Sequence, residues 1–252
     1  MTIRIIRYLL LICLSLVSSQ LFARELKIIF SQYTPPYVFE NDTGVIVDIV
    51  RTAFESSGYT VKPVYVPMGR GFKLFSEKQA DGATIIQESS GVKAHYSNVF
   101  MQYHNRAYAL KARKLAIHSL GDLKDKSVVA FQSADKFLGE EFGRLAASNP
   151  NYKEMAQQDA QTQMLLLGRI DIAVMEEYIF RYYREKLISE GKADRSQKYE
   201  VFDIFPPTPY KAAFHETKIR DDFNKGIAAM RKDGRYDAIY RKYIEQYSVI
   251  KK

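Results

Sequence analysis

Apolar and polar positions along the chain follow two periods in turn. "ELKIIF" holds a strand-length apolar run, Leu26–Phe30, which the chain leaves at Pro35-Pro36. "TGVIVDIVRTAFESSG" then sets Ile46, Ile49, Val50, Ala53 and Phe54 on one helical face, with Gly58 where a helix C-terminal cap is expected. "YTVKPVYVP" predicts a second strand, "GRGFKLFSEKQADG" a helix with Phe72 and Phe75 inward, and "ATII" a third strand. Strand, helix, strand, helix, strand is the grammar of a parallel sheet with both faces covered.

The middle of the chain repeats that grammar. Ser127–Phe131 predicts a strand and "DKFLGEEFGRLAAS" one helix. "DAQTQMLLLGRIDIAVMEE" predicts a helix stopped at Gly168 and a buried strand Ile170–Met175, and "YIFRYYREKLISEG" a further helix. "YEVFDIFPPTPYKAAFHE" holds strand-like pieces around a second Pro-Pro pair. Two amphipathic helices close the chain, one carrying Ile219, Phe223, Ile227 and Met230, the other Tyr236, Ile239, Tyr240, Tyr243, Ile244 and Tyr247. No low-complexity linker separates these parts, so two α/β lobes joined by extended segments are expected.

The first 23 residues add an address. Arg4 and Arg7 precede an apolar run, Tyr8–Val17, and Leu21-Phe22-Ala23 offers a cleavage site, the layout of a secretory signal peptide. The run is shorter than the roughly 20 residues that span a bilayer. Cys13, the sole cysteine, lies inside it, so cleavage near Ala23 leaves a thiol-free chain suited to an oxidising compartment. His95, His104, His118 and His215 have no ligand-like spacing, and no metal or other cofactor is expected. Cleavage leaves 35 basic against 29 acidic residues, a net charge of +6. The charges are interleaved rather than gathered in a stripe, which argues against nucleic-acid binding.

Five stretches carry a family resemblance: "YTPPYVFEN", "GVIVDIVRTAF", "SLGDLKDKSVVAFQ", "LLLGRIDIAVME" and "TPYKAAFHETKIRDDFNKGIAAMRKDGRYDAIYRKYI". Together they resemble the extracellular solute-binding proteins of family 3, the periplasmic receptors of amino-acid ABC transporters. The resemblance implies a type II periplasmic-binding-protein fold: two lobes, each a mostly parallel sheet flanked by helices, joined by a two-strand hinge. It places one hinge strand near Met101–Asn105 and the other near Ile204–Tyr210. Lobe one is then discontinuous, residues 24–102 plus 208–252, and lobe two is residues 103–207.

The same resemblance implies a site. Amino-acid-binding members carry a Thr-x-x-Arg turn after the third strand, whose Arg grips the ligand carboxylate. Here Gln87 stands at the Thr and Ser90 at the Arg, with Glu88 and Ser89 between them. The fixed cation is missing, although losing one partner of a buried ion pair costs about 2–5 kcal/mol. Either another cation replaces it, with Arg70 the first candidate, or the ligand lacks a carboxylate, or the site serves another role. Met68 replaces the Trp of the branch that carries Pro-Trp-x-Arg, giving a softer wall. Glu176 falls where members hold an acid for the ligand ammonium; a plain helix-terminal acid is the alternative. Tyr33, Tyr37 and Phe39 are candidates for an aromatic floor, or for ordinary packing. Gln132 and Ser133 open the helix after lobe two's first strand, where backbone N–H groups could bind a ligand oxygen, or where Ser133 is only an N-cap. Relatives show Gly-Thr near there; Ala134-Asp135 stands instead.

The expected function is capture of a small polar solute, such as an amino acid or polyamine, by a periplasmic monomer that delivers it to a membrane permease. Glu88 and Glu176 make the cleft relatively acidic, which favours a cationic solute. Two alternatives stay open: an enzyme resembling cyclohexadienyl dehydratase, and a sensor docking on a membrane signalling protein. No nucleophile elbow, His–acid pair or phosphate loop is present to favour catalysis.

Overall fold

The computed structural model describes residues 24–248, so the signal segment and its cleavage near Ala23 lie outside the described residues. The chain forms two mixed sheets. The first has the order β2-β1-β3-β11-β4, with β5 also paired to β11. Its strands are β1 (Arg24–Ser31), β2 (Tyr59–Val66), β3 (Gly82–Ile86), β4 (His95–Tyr96), β5 (Met101–Tyr103) and β11 (Thr208–Phe214). The second has the order β10-β6-β9-β7-β8. It comprises β6 (Asn105–Leu110), β7 (Val128–Phe131), β8 (Tyr152–Met155), β9 (Ile172–Glu176) and β10 (Tyr199–Phe202).

Helical crossovers make the inner pairings parallel: β1 with β2 and β3, and β7 with β8 and β9. The strands that carry the chain between the sheets pair antiparallel, β11 with β3, β4 and β5, and β6 with β9 and β10. The chain passes from β5 to β6 across His104 alone and returns from β10 to β11 through Asp203–Pro207.

Helices α1 (Val45–Glu55) and α7 (Thr217–Asp233) cover the first sheet, with the expected apolar faces fully buried. They meet at Gly226, where a Cβ would stand 1.9 Å from the carbonyl oxygen of Ala53. Only a glycine lets the two backbones come so close. Phe54 lies at this crossing, with ring centroids 5.9 Å from Phe214 and 5.5 Å from Phe223. Helix α2 (Met68–Ser76) turns Phe75 into the core, whereas Phe72 is only partly buried.

Two local expectations change. "DKFLGEEFGRLAAS" is two helices, α3 (Ala134–Phe137) and α4 (Glu140–Ser148), parted at Gly139 with φ 94°. Strand β8 was not anticipated. It is an edge strand, so Lys153 and Glu154 sit beside Tyr152 and Met155 without a clean period of two. The remaining helices are α5 (Gln158–Leu166), α6 (Glu177–Ser189) and α8 (Arg235–Ser248). None of the described helices is long and apolar enough to cross a membrane.

The halves meet face to face. Helix α8, continuing from α7, crosses to α6, where Tyr240 approaches Tyr178 and Arg181 donates to the Tyr247 carbonyl at 2.7 Å. Phe72 of α2 meets Phe137 of α3 edge-on, the centroids 6.1 Å apart.

Candidate functional site

Between the sheets lies a cavity enclosing about 360 Å³, its open side included. Ser31, Thr34, Met68, Ile85, Tyr103 and Tyr210 line it from the first sheet and its loops. Asn105, Phe131, Gln158, Glu176 and Ile179 line it from the second. An adjoining pocket of about 330 Å³ shares Ser31, Thr34, Met68, Phe131 and Gln158 and adds Gln32, Pro67, Gln132 and Ala156. Ser31, Ile85, Phe131 and Glu176 all stand at the carboxyl ends of their strands, where open α/β sheets place ligands. Ile85 holds φ 54°, strained for a β-branched residue, beside a register shift between β3 and β11.

Glu176 is the central charged group. It ends β9, caps α6 and is 2 % exposed. One carboxylate oxygen accepts from the backbone N–H groups of Tyr178 at 2.7 Å and Ile179 at 3.0 Å; the other accepts from Tyr37 Oη at 3.0 Å. These bonds favour the ionised form, but burial outweighs them and pushes the carboxyl up to about 7. Asn105 is its direct partner across the antiparallel β6–β9 pair, which sets the two side chains on one face. Asn105 Nδ2 donates to Thr208 Oγ1 at 2.9 Å, while its Oδ1 is buried without a partner. Gln158 Oε1 is likewise buried and unpartnered.

The other predicted positions fall around this cavity rather than all within it. Met68 and Glu176 line it, and Gln132 lines the adjoining pocket, its Oε1 accepting from the Gly69 N–H at 3.3 Å. Tyr37 lies beneath it, fully buried, as the partner of Glu176. Tyr33 stacks on Tyr65 at 5.9 Å and lines a separate groove with Phe39 and Tyr182; its carbonyl accepts from Tyr183 Oη. The aromatic surfaces in the cavity are those of Tyr103, Tyr210 and Phe131. Arg70 is exposed and lines neither pocket.

The turn in place of the usual Arg is turned to local bonding. Gln87 Nε2 donates to the Pro209 carbonyl at 2.9 Å, and Ser89 Oγ donates to Gln87 Oε1 at 3.2 Å. Ser90 Oγ lies 3.4 Å from Tyr96 Oη and accepts from the Val92 N–H. Glu88 is exposed and bonds Lys211 Nζ at 2.5 Å, which lowers its pKa. At the start of α3, Ser133 provides no side-chain cap. Its N–H and that of Asp135 donate to the two carboxylate oxygens of Glu154, at 2.7 and 3.0 Å. An internal carboxylate thus fills the corner where a ligand oxygen was expected. Among the described residues no group of three His, Cys, Asp or Glu side chains is placed to hold a metal.

With two lobes, a crossing pair of strands and a cavity between them, the molecule has the architecture of a type II periplasmic binding protein. The sequence profile of the bacterial extracellular solute-binding proteins, family 3, matches residues 26–246, and the chain belongs to that family. No curated protein matches it significantly in sequence. Among solved structures it is similar to an ancestral arginine-binding protein bound to glutamine, with a TM-score of 0.69 and 22 % identity over 87 % of this chain and 97 % of that one. A histidine kinase sensor domain with similarity to periplasmic binding proteins gives a TM-score of 0.73 at 19 % identity, over 88 % and 97 %. An ancestral amino-acid-binding protein, a precursor of cyclohexadienyl dehydratase, gives 0.68 at 19 %, over 87 % and 95 %. At such identities the likeness shows the fold alone.

Proposed function

We propose that the protein captures a small polar solute in the cavity between its lobes and presents it to the membrane permease of an ABC transporter. The observation that carries this reading is the shared lining: Ser31, Thr34 and Met68 come from one lobe, Asn105, Gln158 and Glu176 from the other. A solute held by both stabilises the closed arrangement, the form a permease can distinguish from the open one. In this reading residues 24–102 plus 208–252 form lobe one and 103–207 lobe two. The Met101–Tyr103 and Thr208–Tyr210 pair is the hinge. The protein works as a periplasmic monomer, exported by a signal peptide over residues 1–23.

Glu176 is the only carboxylate among the lining residues. A thermal-shift screen of the chain from Arg24 onward, against amino acids, amines, organic acids, nucleosides and short sugars, tests the proposal. A ligand at 100 times its dissociation constant adds about 2.7 kcal/mol, or roughly 5–10 °C for a chain of this size. A shift of that size with one chemical class is the expected outcome; none with any class overturns the reading.

A further inference from the structure

We infer that the solute is a compact organic cation, rich in N–H donors and lacking a carboxylate. This rests on the reading of the cavity as a solute site. The enclosed space is small, reaching about 360 Å³ only with its open side included, which suits a short molecule.

The walls offer acceptors. Glu176 is the only carboxylate on them, Asn105 Oδ1 stands unpartnered on the residue opposite it, and Gln158 Oε1 is unpartnered as well. Buried acceptors left in that state call for a donor. The rings of Tyr103, Tyr210 and Phe131 complete the lining, and an aromatic ring attracts a desolvated cation to its face. Bringing a cation to Glu176 also restores the charged form that burial disfavours.

No wall is built for an anion. The lining of both pockets contains no Lys, Arg or His. Ser90 is engaged with Tyr96 and Val92, and the turn's only ionic partner, Lys211, is held by Glu88. The N–H donors of Ser133 and Asp135 are taken by Glu154. A solute carboxylate would enter beside Glu176 with no cationic side chain on the lining to offset the repulsion, so discrimination comes from an absent partner and a like charge together.

The test is a titration of the chain from Arg24 onward with pairs that differ only by the α-carboxylate: agmatine and arginine, putrescine and ornithine, cadaverine and lysine, histamine and histidine. At least one amine should bind, and at least 10-fold more tightly than its amino acid. Glu176→Gln should weaken that amine at least 10-fold, as should Gln158→Lys, a change at a half-buried position that the fold tolerates more readily. An amino acid binding as tightly as its amine, or tighter, overturns the ligand class and leaves the solute-binding reading standing. So does binding confined to organic acids, sugars or nucleosides. Unchanged amine affinity in both variants overturns the placement of the cation. Silence across these pairs and the wider screen removes both readings.

Discussion

Glu176 carries an unfavourable charge. Its carboxyl titrates near 7 in the folded chain against 4.5 for a free side chain, because desolvation exceeds the gain from its three hydrogen bonds. The folded state therefore binds the extra proton between those values. Its contribution to stability is fully present below about pH 4.5 and is lost as pH rises through about 7, for a total of about 3 kcal/mol. Glu177 raises that pKa further and the Tyr37 phenol donates to the carboxylate, and Tyr37 stays protonated because burial pushes its pKa far up. In urea denaturation without solute, the wild type should lose stability between pH 5 and pH 8 relative to Glu176→Gln, which lacks the titration. Equal slopes for the two proteins would show that Glu176 is ionised throughout this range.

How far single residues were legible in the sequence depended on what marked them. Glu176, Met68 and Gln132 were named from family positions, and the structure sets them on the walls. Tyr103, Asn105 and Tyr210 lie on β5, β6 and β11, where alternation announces a strand but not which face meets a cavity. Gln158 reads as one more polar residue at a helix start. Glu154 sits on the unanticipated edge strand β8, so its reach to the N–H groups of Ser133 and Asp135 has no local signature. Tyr33 fits an aromatic floor by its place after the first strand, yet the turn that buries Tyr37 directs it outward.

At the scale of elements, strongly periodic segments were readable and close approaches were not. The faces of α1 and α7 follow from spacing 3.6, since each buries one stripe. That the two helices cross at Gly226 is a property of the pair, invisible in either segment. Gly226→Ala sets a methyl 1.9 Å from the Ala53 carbonyl and forces the backbones apart. The expected cost is about 1–3 kcal/mol, the usual penalty of overpacking, even though alanine is the better helix former. Chemical denaturation checks it, and a variant as stable as the wild type would mean the crossing loosens without loss. The split of α3 from α4 has a similar origin: Gly139 adopts φ 94°, which periodicity does not report.

At the scale of the molecule, two kinds of contact hold the lobes together. Some belong to the cavity, such as the Tyr37–Glu176 and Gly69–Gln132 bonds. Others lie at its edges, such as Phe72 against Phe137 and the α6–α8 contact. Among the described residues the chain crosses between the halves at two places, His104 and Asp203–Pro207, so changes in two short segments suffice to move one half against the other. The chain from Arg24 onward contains no cysteine, which makes that motion measurable with two introduced labels. Lys73 on α2 and Glu140 on α4 are exposed positions on opposite lobes. Spin-labelled Lys73→Cys/Glu140→Cys protein should give, without solute, a distance distribution that includes a longer, open population. The solute with the largest thermal shift should collapse it to the shorter, closed distance. One unchanged distance, with and without a solute shown to bind, would contradict capture between two moving lobes.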